Sequence, residues 1–257
     1  MPQQPPPGWA AAAAEGLVTV APDAHVHPTA QLVPADRTGR GRRIVVGRGC
    51  RVGAFAVLHG GTELGAGAEI GHGCVVGEPE TGYALRAHHP GTGAVTRIAA
   101  GAVLRAGAIA YAGVEVGPRT TIGHHTLLRT GVAVGEDSQI GHHLTVERGV
   151  RIGSGVRCSP GSHLTAEMRI GDGAFIGAGV RTINDKRLIW RDPAREVPLA
   201  PPRVETGAKV GTGAVLLAGT VIGAGALVGA GSVVTRDIAP GTVAYGSPAR
   251  VQDGGRP

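Results

Sequence analysis

The chain has 257 residues, among them 45 glycines, with 3% aromatic residues, two methionines and a formal net charge of +6. So much glycine and so few aromatics exclude an ordinary Phe- and Met-rich core. The interior has to be Val, Ile, Leu and Ala between many tight turns. No apolar run approaches the roughly 18 residues that suggest a membrane span, and no basic run with interleaved aromatics is present, so the positive charge suits a phosphate-bearing small molecule at least as well as nucleic acid.

In chain order, residues 1–17 come first. They begin "MPQQPPPGWAAAAAEG", lack the basic start of a secretory leader, and read as a disordered Pro/Ala-rich tail. An aliphatic residue then recurs every six positions: Val20, Val26 and Leu32, followed by Val46, Val52, Leu58, Leu64, Ile70 and Val76. Segment 78–97 breaks the frame. From Ile98 the period runs unbroken through Leu104, Ala110, Val116, Ile122, Leu128 and onward to Ile176. Segment 182–203 breaks it again, and Val204, Val210, Leu216, Ile222, Val228 and Val234 resume it. A short tail, 251–257, ends the chain. Cys50, Cys74 and Cys158 occupy inward slots of the repeat without any Cys-x-x-Cys pairing. They read as core thiols of a protein in a reducing compartment, the cytoplasm.

A period of six is neither helical nor simply alternating. It suits a short strand with one large and one small inward side chain, then a tight corner. The fourth hexad position is glycine again and again, as at Gly67, Gly101 and Gly155, which marks a corner with positive φ. Three such edges make an 18-residue triangular coil, and stacked coils pair as parallel strands about 4.8 Å apart. One column of corners then follows residues 52, 70, 104, 122, 140, 158, 176, 210 and 228. The tetrapeptide Ile-Gly-His-His occurs twice, at 122–125 and 140–143. His124 and His142 therefore stack on one outer corner, and Thr212 and Ala230 share that corner further along. His125 and His143 sit at the glycine position, where His is among the few side chains that tolerate left-handed backbone.

The pattern resembles the left-handed parallel β-helix of the hexapeptide-repeat acyltransferases. It implies an all-β fold over residues 18–250, of about nine to ten coils with two loop insertions. The resemblance also implies homotrimers with active sites between subunits, the loops reaching a neighbour's site. The segment "IGHHTL" is similar to the third-position base histidine of the lipid A UDP-sugar acyltransferases, with His143 following His124 at that family's 19-residue spacing. His142 fits the same motif. A neutral histidine is suited to take a proton from a hydroxyl or ammonium nucleophile. These likenesses make His124, His142 and His143 the catalytic candidates.

The segment 211–251, ending "GAGSVVTRDIAPGTVAYGSPARV", resembles the closing coils of CoA-dependent hexapeptide acetyltransferases. That likeness implies acetyl-CoA, or another acyl-CoA, as cosubstrate, held at Thr212, Ala230 and Thr235, with Arg250 toward a phosphate and no metal required. His142 and His124 should stand three and four coils from Thr212, about 14 and 19 Å, an order of length that an extended pantetheine arm spans. "RTINDKR" resembles the corresponding loop of N-acetyltransferases acting on nucleotide-linked amino sugars, which implies that Asn184 and Asp185 hold the acceptor. A turn dipeptide is the plainer reading of the same two residues.

The expectation is an acyl-CoA-dependent N-acetyltransferase. The alternatives are an O-acyltransferase, with the histidines doing heavier work, a metalloenzyme like the gamma-class carbonic anhydrases, and a non-catalytic scaffold. The metalloenzyme pattern needs a His-x4-His pair, and no two histidines here are five apart.

Overall fold

The structure, a computed structural model, describes residues 9–35, 41–81, 94–187 and 198–252. The middles of both predicted loops and the outer parts of both tails lie outside these residues. The chain winds as a left-handed parallel β-helix whose strands mostly span two or three residues. Three parallel sheets form the walls. The first runs from Val18–Val20 to Val221–Ile222 and the third from Gln31–Val33 to Val233–Val234, ten strands each. The second begins at His25–Val26 and ends in a hairpin of Val243–Gly246 and Ala249–Val251, whose strands pair antiparallel.

The six-residue period is realised strand by strand. Ile122 pairs with Leu104 before it and Ile140 after it, and Ile140 with Cys158. These residues point inward and are all but sealed from solvent. The fifth-position hydroxyls are also buried and lock coil to coil. The Thr120 hydroxyl donates to the Gly135 carbonyl at 2.6 Å and accepts the Ser138 N–H at 3.0 Å. The Ser138 hydroxyl repeats the move, donating to Gly153 O and accepting the Val156 N–H. A buried hydroxyl that finds both partners escapes the cost of an unsatisfied polar group.

The three thiols are buried and unpaired. Burial pushes Cys74 up to about 11 and Cys158 up to about 12, so neither is a ready nucleophile.

Leu64 pairs with Ile98, and Ile170 with Val204, each a step of 34 residues instead of 18. Both insertions therefore leave from the edge between the third and first sheets and return one full coil on, so the register survives them.

Part of the expected disordered tail is ordered. Ala10–Ala14 form a short helix, Trp9 is buried, and Ala12 and Ala13 pack against the open end of the core. Alanine is the strongest helix former, and the exposed end of a β-helix gives such a segment apolar surface to cover.

Ile140→Ala should cost about 2–5 kcal/mol, and the outward Gln139→Ala should stay within about 0.5 kcal/mol. Urea unfolding of both variants checks that the six-residue phase decides the difference.

Candidate active site edge

The edge following the second sheet carries the predicted histidine column. The His124 and His142 rings stack with centroids 5.2 Å apart and planes 26° from parallel. Both side chains are exposed. The His124 backbone N–H donates to Nδ1 of His142 at 3.1 Å. An acceptor at Nδ1 places the proton of the neutral His142 ring on Nε2, so His142 presents an N–H outward. Among the described residues no hydrogen bond occupies a ring nitrogen of His124, which leaves its lone pair open.

His125 and His143 have φ of 52° and 55°, so they are corner residues in left-handed backbone. Their rings stack on each other at 5.2 Å and 17°. The His125 ring lies where a Cβ on residue 107 would stand, so glycine there makes the stack possible. Phe55 heads the same line of corner residues with φ 59° and 69% of its surface exposed.

Two depressions open on the second sheet's outer side. One of about 510 Å³ is lined by His27, Arg51, His72, Arg105 and His124, among others. The second, about 430 Å³, is lined by Arg105, Gln139, His142, Arg157 and Ser159 among others. Each histidine of the outer pair thus faces a hollow lined by two arginines, the first also lined by Glu69, and Arg105 belongs to both.

Thr212 and Ala230 continue the histidine edge in unbroken register, since Ile176, Val210 and Val228 pair in sequence. Arg250 lies on the hairpin that closes the same sheet, opposite Tyr245. Thr235 follows the third sheet's last strand and stands on a different edge. Asn184 and Asp185 stand on that other edge too, just after Arg181–Thr182. The Asn184 carbonyl accepts the Ala200 N–H at 2.8 Å and closes the base of the second loop. Asp185 Oδ1 accepts the Arg187 N–H at 2.7 Å, the geometry of a side-chain-closed turn. One chain therefore does not bring the histidines together with Asn184. Among the described residues, no three His, Cys, Asp or Glu side chains are placed to share a metal ion.

The loop edge also holds a partly buried charge cluster, built on buried Glu80, that the sequence reading missed. Glu80, from the start of the first insertion, receives the Thr130 N–H at 3.0 Å, the Thr130 hydroxyl at 2.7 Å and the Arg129 guanidinium. Arg129 also binds Glu147, and Glu147 lies 3.5 Å from His163 Nε2. His163 and then Arg129 hold the Glu147 carboxyl below its usual range against the effect of burial. Burial works to raise Glu80, but Thr130 and Arg129 outweigh it and leave it lowered. The 18-residue spacing of Arg129 and Glu147 was a signal that could have been read. Glu80 lies at an insertion and offered none.

The class these observations define is the hexapeptide-repeat left-handed β-helix. The family model Bacterial transferase hexapeptide (six repeats) matches residues 43–78. Among curated proteins none matches the chain in sequence. The solved UDP-N-acetylglucosamine acyltransferase of Francisella novicida shares the fold at a TM-score of 0.50 and 11% identity, covering 91% of this chain and 70% of that one. The UDP-N-acetylglucosamine acyltransferase from Campylobacter jejuni aligns at 0.45 and 13%, over 91% and 74%. The GDP-perosamine N-acetyl transferase from Caulobacter crescentus, solved with CoA and GDP-perosamine, has 26% identity over 55% of this chain and 53% of its own, at a TM-score of 0.28.

Two outcomes are expected here. His143→Gly should leave stability within about 1 kcal/mol, because glycine accepts the left-handed backbone that His143 strains to adopt. Arg129→Met should cost about 1–3 kcal/mol at neutral pH, because both carboxylates lose their guanidinium partner while Glu80 keeps Thr130 and Glu147 keeps His163. Because both carboxyls titrate low in the folded state, the stability that they contribute is present at neutral pH and lost as pH falls through their folded pKa. Urea midpoints at pH 7 and pH 4 should therefore show the penalty of Arg129→Met shrinking with acid.

Proposed function

We propose that the chain transfers an acetyl or other short acyl group from CoA to the amine of a nucleotide-linked amino sugar or a similar small molecule. One observation carries the reading. An exposed, stacked histidine pair beside arginine-lined hollows stands on one edge in unbroken register with Thr212 and Ala230, the positions expected to take CoA. The shared fold of a UDP-N-acetylglucosamine acyltransferase supports acyl transfer in general.

In this reading CoA lies along the histidine edge, its pantetheine arm reaching from Thr212 and Ala230 toward His142 and His124. Arg250 and Thr235 contribute to cofactor binding, Thr235 from its own edge. The acceptor nitrogen attacks the thioester carbonyl carbon, and the tetrahedral oxyanion is met by backbone N–H groups and by the Nε2–H of His142. The C–S bond then breaks and the CoA sulfur leaves. The proton shed by the nitrogen passes to His124, whose lone pair is open, and from there to the departing thiolate. His143 supports the site through its corner and needs no proton-transfer step.

Asn184 and Asp185 hold the acceptor from the other edge, so a complete site takes the histidine edge of one copy and the loop edge of another. A homotrimer of cytoplasmic subunits supplies that arrangement. No helix among the described residues is long and apolar enough to cross a membrane. The open His124 lone pair also favours a second reading, an O-acyltransferase on a hydroxyl, which needs a base more than an amine does.

Free-thiol release from acetyl-CoA, measured against paired amino and hydroxyl sugar nucleotides, separates the two readings. His124→Ala should lower kcat/KM about 10²–10⁴-fold. His142→Ala should lower kcat by about 10²–10³ with little change in KM, and Asn184→Ala should raise the acceptor KM. Absence of both acetyl-CoA binding and thiol release would remove acyl transfer altogether.

A further inference from the structure

The outer face of the first sheet carries a second charge pattern, remote from the histidine edge. From Glu63 to Glu115 its outward residues alternate in sign. Arg97 lies between Glu63 and Glu115 in register, with Nε 3.2 Å from one carboxylate and Nη1 3.3 Å from the other. Further along, the alternation fails. Arg151 pairs directly with Arg169, and Arg169 with Arg203. All three are exposed, and among the described residues none of the three guanidinium groups makes a hydrogen bond or ion pair. Uncharged Ala133 and Val221 flank them in register.

Like charges on directly opposed strand residues destabilise a sheet. Coils about 4.8 Å apart hold these three cations in line with no carboxylate between them. The fold solves the same problem with glutamates around Arg97, so the bare ladder is a departure from its own rule. Such departures mark functional positions.

A hollow of about 370 Å³ is centred on the ladder. Gly153 and Gly171 leave part of its lining without side chains, and Glu205 is its one acidic lining residue. Asp172 on the adjoining corner already accepts the Ser154 N–H at 2.8 Å. The volume falls in the range of small-molecule sites, too small for a polymer groove. Arginine forks match phosphate oxygens two at a time. A single phosphate meets one or two guanidinium groups, whereas a row of three calls for linked phosphates.

We infer that Arg151, Arg169 and Arg203 form a binding site for a compact oligophosphate, the phosphoanhydride chain either of a free short oligophosphate or of a nucleotide. The ligand supplies the negative charge that the column lacks. The site does not depend on acyl transfer, because its residues share neither the histidine edge nor the closing hairpin.

The test is thermal unfolding of the full chain at fixed ionic strength with sodium triphosphate, with ADP, or with sodium chloride alone, and calorimetric titration of both phosphate ligands. Triphosphate or ADP at about 100 times Kd should raise Tm by roughly 5–10 °C over sodium chloride. The two ligand arms tell a free chain from a nucleotide-borne one. Arg169→Gln should weaken binding at least tenfold. With no anion added it should melt about 1–3 °C higher than the wild type, since the central like charge is gone. Arg97→Gln, on the same face, should bind as the wild type does.

Stability indifferent to both ligands would overturn the inference. So would an Arg169→Gln variant that binds them normally. A change of oligomeric size in Arg169→Gln without any phosphate effect would assign the ladder to carboxylates of another copy, and also overturns it.

Discussion

A left-handed backbone residue near every sixth position is the constraint on which the molecule depends. Strands of two or three residues cannot hold a sheet alone, so each coil is stable only against its neighbours. The corner must therefore return the chain to the same place every 18 residues. Glycine takes most of these corners, and the exceptions are instructive. Arg119 and Asp137 are both left-handed, lie 18 residues apart, and form a two-pronged ion pair at 2.7 Å. His125 and His143 do the same with stacked rings. These four non-glycine corners stack in pairs, and the contact offsets part of the backbone strain, whereas Phe55 and Glu167 stand next to glycine corners. The exposed ion pair offsets little by itself.

The same stacking sorts chemistry by edge and face. The corner after the second sheet carries hydrogen-bonding imidazoles. The corner after the third carries both insertions and a chain of charges that runs from buried Glu80 to the half-buried His163. The first sheet's outer face carries guanidinium groups. The buried charges have a structural use: Glu80 ties the root of the first loop to Thr130 and Arg129, so the loop leaves the prism from a fixed point. A buried ion pair is a weak source of stability but a strong source of uniqueness if every partner is satisfied, and here a loop root benefits from that uniqueness.

Most of the fold was legible because its period is short and strict. Ile98 through Ile176 announce the inward phase, and the column that joins His124, His142, Thr212 and Ala230 follows by counting. What counting could not supply is side-chain direction. That His142 spends Nδ1 on the His124 N–H, and so differs from its twin, depends on a ring rotation that no spacing encodes. Counting also failed at the breaks in the period: Glu80 was invisible, and Asn184 and Thr235 proved to share an edge that the histidines do not. The part of the N-terminal tail from Trp9 on was misread for another reason. Pro and Ala suggested disorder, whereas the run Ala10–Ala14 with Trp9 has an apolar end to cover.

The two insertions each return the chain after 34 residues, one whole coil plus a loop, and this has a consequence for how such a chain can change length. Adding or removing six residues would keep every inward side chain inward, and the core would fold. Every column beyond that point, however, would turn by one third of a revolution, and Thr212 would leave the histidine edge for another. A change of 18 keeps both core and edge. Within the coils the fold is therefore insensitive to one kind of frame error that its surface chemistry cannot survive, and length variation compatible with both comes in whole turns, whereas a loop that leaves the prism, as both insertions do, turns no column.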